Sequence, residues 1–280
     1  MLSPSDTQSL SSDRAQQTPQ SIISHILGTL PTVERFTEII YEHVSPKDGV
    51  FISDFLAANP EVERRNVRIT FNAHTGTLRV KICLTELHNA PFQWAFCSHG
   101  DWIFSGLLDR DEIGLLCTGA GTTFNEFTGP YHGSRIDPDL FIRTDVSGSP
   151  SIVMGSGWSE TLPYLREDKD LWMEGSSVEL VILLKWTNLS NNKVKGDAEV
   201  WRHNAEGTLV VEELPIFPEP TPLPASDRVI FTRSQLFGQA TLSHRDPEGI
   251  LYLGMPSLRD IARKALGRMG LIPAEEKDLE

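Results

Sequence analysis

The chain has 280 residues, 39% of them hydrophobic and 22% charged, which is enough apolar material for a substantial core in one large domain or two small ones. Its 38 acidic residues against 25 basic ones give a net charge of −13, so the whole-molecule field repels polyanions and any nucleic-acid role needs a local basic patch. Three cysteines without paired spacing (Cys83, Cys97, Cys117) argue against a disulfide framework or a zinc ribbon. With no signal-peptide pattern and no apolar run of membrane-spanning length, an intracellular protein, cytoplasmic or nuclear, with no membrane association is expected.

Residues 1–19 are rich in Ser, Gln, Asp, Thr and Pro and are expected to form a disordered tail, followed by one folded domain over 20–272 and an acidic tail over 273–280. Ile22, Ile23, Ile26, Leu27 and Leu30 recur at helical spacing up to Pro31. Val33, Phe36, Ile39, Ile40 and Val44 repeat the pattern over 32–44, which predicts two amphipathic helices or one broken at the proline. Between Asn66 and Leu84 the period changes to two around a turn at Ala73-His-Thr-Gly76, predicting a β-hairpin with one face in the core and one in water. Its polar face carries Arg68, Arg79 and Lys81, a basic cluster that reads as a solvated sheet face or as a nucleic-acid surface. Phe92, Trp94, Phe96, Trp102 and Phe104 crowd the next segment, as a core wall or as a base-stacking surface. The Gly- and Thr-rich stretch from Gly114 to Gly133 suggests a strand followed by a mobile loop, and its Gly119-Ala-Gly121-Thr-Thr lacks the spacing and lysine of a phosphate-binding loop.

The stretch from Asp137 to Lys185 carries the most information. Asp137-Pro-Asp139 opens a short strand through Leu140-Phe-Ile, and a Ser-Gly-Ser-Pro turn leads into a second strand from Ser151 to Glu160. A charged helix and an apolar strand ending at Lys185 follow. Beyond it, residues 195–202 and 208–214 alternate around Asn204-Ala-Glu-Gly207 as a second hairpin, and five prolines between Pro215 and Pro224 predict an extended connector. Val229–Thr232 reads as a short strand. Residues 256–269 read as a final helix with Leu258, Ile261, Ala262, Ala265, Leu266 and Met269 on one stripe and Arg259, Arg263, Lys264 and Arg268 on a solvated or phosphate-contacting side.

An acidic residue opening one strand, a second strand after a tight turn, then a helix and a third strand is the order in which PD-(D/E)XK nucleases assemble a site. Pro138-Asp139 with Leu140-Phe-Ile resembles the first half of that pattern. Ser151–Glu160, Leu171-Trp172-Met-Glu-Gly175, the strand ending in Lys185, Glu199-Val-Trp-Arg, Ile216-Phe-Pro, Phe231-Thr and Gln235-Leu-Phe-Gly are similar to restriction-endonuclease-like proteins of fungal genomes, distant relatives of the bacterial Uma2 group. The resemblance covers about half of the chain and implies an α/β fold with a restriction-endonuclease-like mixed central sheet flanked by helices. If active, such a protein is a metal-dependent nuclease: carboxylates on neighbouring strands hold Mg²⁺, which generates hydroxide and stabilises charge on the phosphate.

Aligned on that pattern, Gly155 falls where the metal-binding glutamate belongs and Gly157 where the lysine belongs. The resemblance therefore offers Asp139, Glu160 and Lys185 as the catalytic set and Asp139, Glu160 and Asp168 as the metal set, with Asp170 and Lys169 as further stand-ins. Each also has an ordinary reading: Asp137-Pro-Asp139 as a turn, Ser159 or Glu160 as a helix start, Glu167, Asp168 and Asp170 as a solvated helix face, Lys185 as a lysine reaching for solvent, His132 as a loop residue. The expectation is a nuclease-like protein with a degenerate site. The alternative is a protein-interaction module that keeps the fold without nucleic-acid chemistry and meets partners through its acidic surface and the Pro-rich connector. A small-molecule enzyme on an unrelated fold is a third. Candidate partners are nucleic acid, through the local basic patch, and other proteins.

Overall fold

The computed structural model describes residues 18–82, 85–158 and 162–279, so the disordered tail expected over 1–19 lies outside the described residues except for Thr18 and Pro19, which cap and open the first helix instead. In chain order the elements are α1 (Pro19–Thr29), β1 (Thr37–Tyr41), α2 (Pro46–Ala57), α3 (Pro60–Arg64), β2 (Arg68–Asn72), β3 (Thr77–Ile82), α4 (Ala90–Phe104), α5 (Arg110–Leu115), β4 (Leu116–Gly119), β5 (Arg135–Ile136), β6 (Leu140–Thr144), β7 (Ile152–Trp158), α6 (Leu162–Gly175), β8 (Leu180–Asn188), β9 (Lys193–His203), β10 (Leu209–Phe217), β11 (Arg228–Thr232), α7 (Arg233–Phe237), β12 (Ile250–Gly254), α8 (Met255–Arg268) and β13 (Ile272–Pro273). The fold is mixed α/β. Where the sequence suggested one domain, the chain packs as two compact units: residues up to Thr85 with Gly121–Pro138, and Glu86–Ala120 with the residues from Asp139 onward.

The first unit is a four-stranded antiparallel sheet in the order β1-β3-β2-β5, with α1 and α2 contributing to the core on its apolar side. Both helices start on the signals expected of them: Thr18 and Ser45 accept backbone N–H bonds from Ser21 and Asp48, and a proline follows each cap. Ile22, Ile26, Ile52, Leu56, Phe71 and Val80 form the core. Gly49 lets α2 approach the sheet, because a Cβ there would lie 2.2 Å from the Phe71 ring. The helix predicted over 32–44 is instead the strand β1. Ile39 and Ile40 are both buried, so the strand is covered on both faces; spacing that mimics a helical stripe is then simply a continuous apolar run. The hairpin of β2 and β3 turns at the expected residues, but neither face is open to water. Arg79 and Lys81 are buried, and Arg79 donates to the buried Glu38 carboxylate at 3.1 Å.

The second unit is built on a mixed sheet in the order β10-β9-β8-β7-β6-β4, to which β13 adds in parallel along β9. β4, β6 and β7 are successively antiparallel; β7 and β8 are parallel, joined through α6; β9 and β10 return antiparallel. β7 and β8 are buried on both faces, which is why they read as near-continuous apolar runs. α6 lies against one face, where Leu165 meets Gly155. On the other, Ser156 reaches the turn that leads into α4. The aromatic segment is α4 itself: Trp94 and Trp102 are fully buried and donate their indole N–H to the carbonyls of Gly254 and Tyr252, while Phe92, Phe96 and Phe104 are exposed. Helix packing sorts those aromatics by face, which their density along the sequence does not reveal.

Two features of the C-terminal part also depart from expectation. Arg259, read as solvated, is 1% exposed and spends its donors on both oxygens of Asp227 and on the carbonyls of Pro215 and Ile216, fixing the start of the Pro-rich connector to α8. The segment expected as an acidic tail is docked as far as it is described: β13 pairs with Lys193 and Val194, and Asp278 bonds the Lys193 ammonium.

Candidate functional site

Asp139 immediately precedes β6, and the β6–β7 register that pairs Leu140 with Met154 places it opposite Gly155. The strand order foreseen around it is present: β6, the turn, β7, α6 and β8. The Asp139 side chain is buried and its Oδ2 accepts the backbone N–H of Ser156 at 2.7 Å. That bond extends the β6–β7 ladder by one rung beyond its last residue pair, with a carboxylate standing in for a backbone carbonyl. Ser156 is itself fixed on the other face: its hydroxyl donates to the Leu87 carbonyl at 3.0 Å and accepts from the Trp186 indole at 2.9 Å. The two aspartates of the Asp137-Pro-Asp139 opener diverge. Asp137 belongs to the first unit, where it accepts the Ile69 N–H at 3.0 Å. Its burial pushes its carboxyl above the usual aspartate value despite that bond, a further one from Thr123 and the charge of Arg68.

Gly155 is the position where the resemblance expects a second metal-binding carboxylate. A Cβ there would already touch Leu165 at 3.4 Å and Leu183 at 3.5 Å, so apolar side chains close the space above the strand. Lys185 is the register partner of Gly157, where the resemblance expects the lysine, on the neighbouring strand β8. Its ammonium lies 3.6 Å from the Asp197 carboxylate, which Lys195 also approaches at 3.0 Å. Asp168, expected on a solvated helix face, is buried one turn beyond Leu165, and Lys169 beside it is buried as well. Lys169 bonds Asp170 and lies 4.4 Å from the Trp201 ring centre. His132 is an exposed loop residue. Glu160, placed in both predicted sets, and Ser159 lie outside the described residues.

The donor set does not fit Mg²⁺ among the described residues. Octahedral Mg²⁺ needs hard oxygens converging from at least two directions. Here one oxygen of Asp139 is committed to a backbone amide, its facing residue is a glycine under leucine methyls, and no three His, Cys, Asp or Glu residues gather into a metal-holding group.

A further ion pair on this sheet had no place in the predicted sets. Glu199 on β9 receives a two-pronged bond from Arg166 of α6 at 3.2 and 2.5 Å and a third from the Trp201 indole at 3.1 Å. Burial alone would raise its carboxyl. The bonds from Arg166 and Trp201, with the charges of Arg166 and Lys185, outweigh that and hold it below the usual glutamate value. The signal was present in Glu199-Val-Trp-Arg, whose alternation puts Glu199 and Trp201 on one side of the strand. The basic cluster of the first hairpin forms no surface patch, since Arg79 and Lys81 are buried and Arg68 donates to Asn66. No helix among the described residues is long and apolar enough to cross a membrane. Compared with known proteins, the chain matches no family model and no curated protein.

Proposed function

We propose that this chain carries a PD-(D/E)XK nuclease-like framework in which packing has replaced metal chemistry, so that it binds without cleaving. The strand order β4-β6-β7, the helix α6 and the parallel partner β8 support the framework. The observation that carries the silent reading is the pairing of Asp139 with Gly155 beneath Leu165: the sole carboxylate of the pair serves the sheet, and the facing position holds no ligand. With no second ligand there, Asp139 alone would hold Mg²⁺ poorly, and the hydroxide that such an ion would supply would be lost with it. The net charge of −13 and the burial of the expected basic cluster favour a protein or other cationic partner over nucleic acid.

The test is incubation of the pure protein with plasmid DNA, single-stranded DNA and RNA in millimolar Mg²⁺ or Mn²⁺, beside Asp139→Ala. The expected result is no hydrolysis above background in either protein. Metal-stimulated hydrolysis that disappears in Asp139→Ala would overturn the proposal.

A further inference from the structure

We infer that the outer edge of β10 is a docking site for an extended, basic segment of a partner protein, which adds to the sheet as a further strand. This goes beyond the framework reading and does not depend on it. β10 ends the sheet order, and no described strand lies beyond it. Its polar groups can be placed by register. Asn204 donates to the Thr208 carbonyl at 2.9 Å, which makes 204 and 208 a bonded pair. Antiparallel alternation then bonds 202 to 210, 200 to 212 and 198 to 214. The N–H and C=O of Leu209, Val211 and Glu213 therefore point away from β9, with no ladder partner. Pro215 falls at the next outward position, where a missing N–H costs the ladder nothing, and it closes the window at its C-terminal end.

The side chains along this window are exposed, although Glu212 already accepts from Arg202 on β9 at 3.0 Å, which leaves Glu213 as the acidic group without that pairing. Val210 and Val211 are 38% and 41% exposed, and Glu212 and Glu213 are exposed beside them. Natural sheet edges are commonly blunted by lysine, yet from His203 to Asp227 the sequence contains no lysine or arginine and has acidic residues at 206, 212, 213, 219 and 227. Val210 and Glu212 share one face of β10 and Val211 and Glu213 the other, so a strand with two adjacent apolar residues followed by two adjacent basic ones would set apolar side chains against both valines and cations against both glutamates, while its backbone takes the free polar groups. A second copy of this chain is a poor occupant, because antiparallel self-pairing of β10 would bring both glutamates of each copy onto one short ladder.

The probe is a blocked octapeptide of two Val-Val-Lys-Lys repeats, with two Val-Val-Glu-Glu repeats as control, read by titration and by amide hydrogen exchange. The Lys–Val peptide is expected to bind saturably and to slow exchange at Leu209, Val211 and Glu213, whose amides exchange freely without it. Val211→Pro removes an outward N–H and leaves the bonds to β9 in place, so it should weaken binding by roughly tenfold or more, the equivalent of one backbone hydrogen bond. The double variant Glu212→Lys with Glu213→Lys should also weaken it, with the unfolding midpoint recorded for each protein. Equal binding by Val211→Pro, equal binding of the Glu–Val peptide, or protection at other amides would overturn the inference. A doubled mass in light scattering, with the same three amides already protected before peptide is added, would overturn it in favour of self-association.

Discussion

Replacing Asp139 by alanine separates a structural carboxylate from a ligand carboxylate. Its Oδ2 is the acceptor for the Ser156 N–H, and both groups are buried. Truncation leaves that N–H without a partner. A hydrogen bond to a charged acceptor contributes about 1.5–3 kcal/mol, so a loss of about 2 kcal/mol is expected in the second unit. At about 2–4 °C per kcal/mol for a unit of this size, the midpoint should fall by roughly 4–8 °C. Asp139→Asn keeps a neutral acceptor and should lose about half as much. The assay is thermal or urea unfolding of wild type and both variants, with and without Mg²⁺. A carboxylate kept for metal behaves in the opposite way: its removal leaves the metal-free protein as stable or more so, and added Mg²⁺ raises the wild-type midpoint alone. Either result would refute the assignment of Asp139 to the ladder.

Three further perturbations probe the surroundings. Gly155→Glu should destabilise the protein by about 1–3 kcal/mol through overpacking against Leu165 and Leu183, and a rise in its midpoint on adding Mg²⁺ would contradict the closed geometry. Arg259→Met leaves the Asp227 carboxylate and two backbone carbonyls without their buried partner, so a loss of about 3–5 kcal/mol in urea unfolding is expected; a loss below about 1 kcal/mol would show that the clamp is dispensable. Glu199 has a folded-state carboxyl held below its ordinary value of 4.5, so its contribution is present at neutral pH and is lost as pH falls through the lowered value. Arg166→Met should raise that value and start the acid loss of stability at higher pH, followed by carbon NMR of the Glu199 carboxyl; an unshifted titration would deny Arg166 its role.

The elements around Asp139 were legible because each carries its own local signal: a turn before β7, apolar runs in β7 and β8, a charged helix of the right length between them. Residues 32–44 misled for the same reason. Val33, Phe36, Ile39 and Ile40 satisfy a helical period, and only pairing with β3 decides for a strand. Arg79, Lys81 and Arg259 were read as solvated because charge usually marks a wet face. The ion pairs of Arg79 and Arg259 join residues far apart in the chain, Glu38 to Arg79 and Asp227 to Arg259. The site was half legible. Gly155 could be seen to lack a carboxylate, but that Leu165 would cover it and that Asp139 would bond Ser156 depend on how α6 and β6 settle on the sheet.

The first unit borrows its fourth strand from far along the chain. Residues up to Thr85 supply β1, β2 and β3, the chain then builds α4, α5 and β4 of the second unit, and only afterward do Gly121–Pro138 return. That late segment places β5 along β2, and its Ser134 hydroxyl accepts the Ala73 N–H at 2.9 Å. During synthesis, therefore, the three-stranded nascent sheet waits with β2 as an open edge until the intervening stretch has emerged. Such long-range closure slows folding and exposes an edge that other chains can pair with. Expression at high concentration should be sensitive to chaperone supply for that reason, and the interval between Thr85 and Gly121 sets how long the vulnerable state lasts.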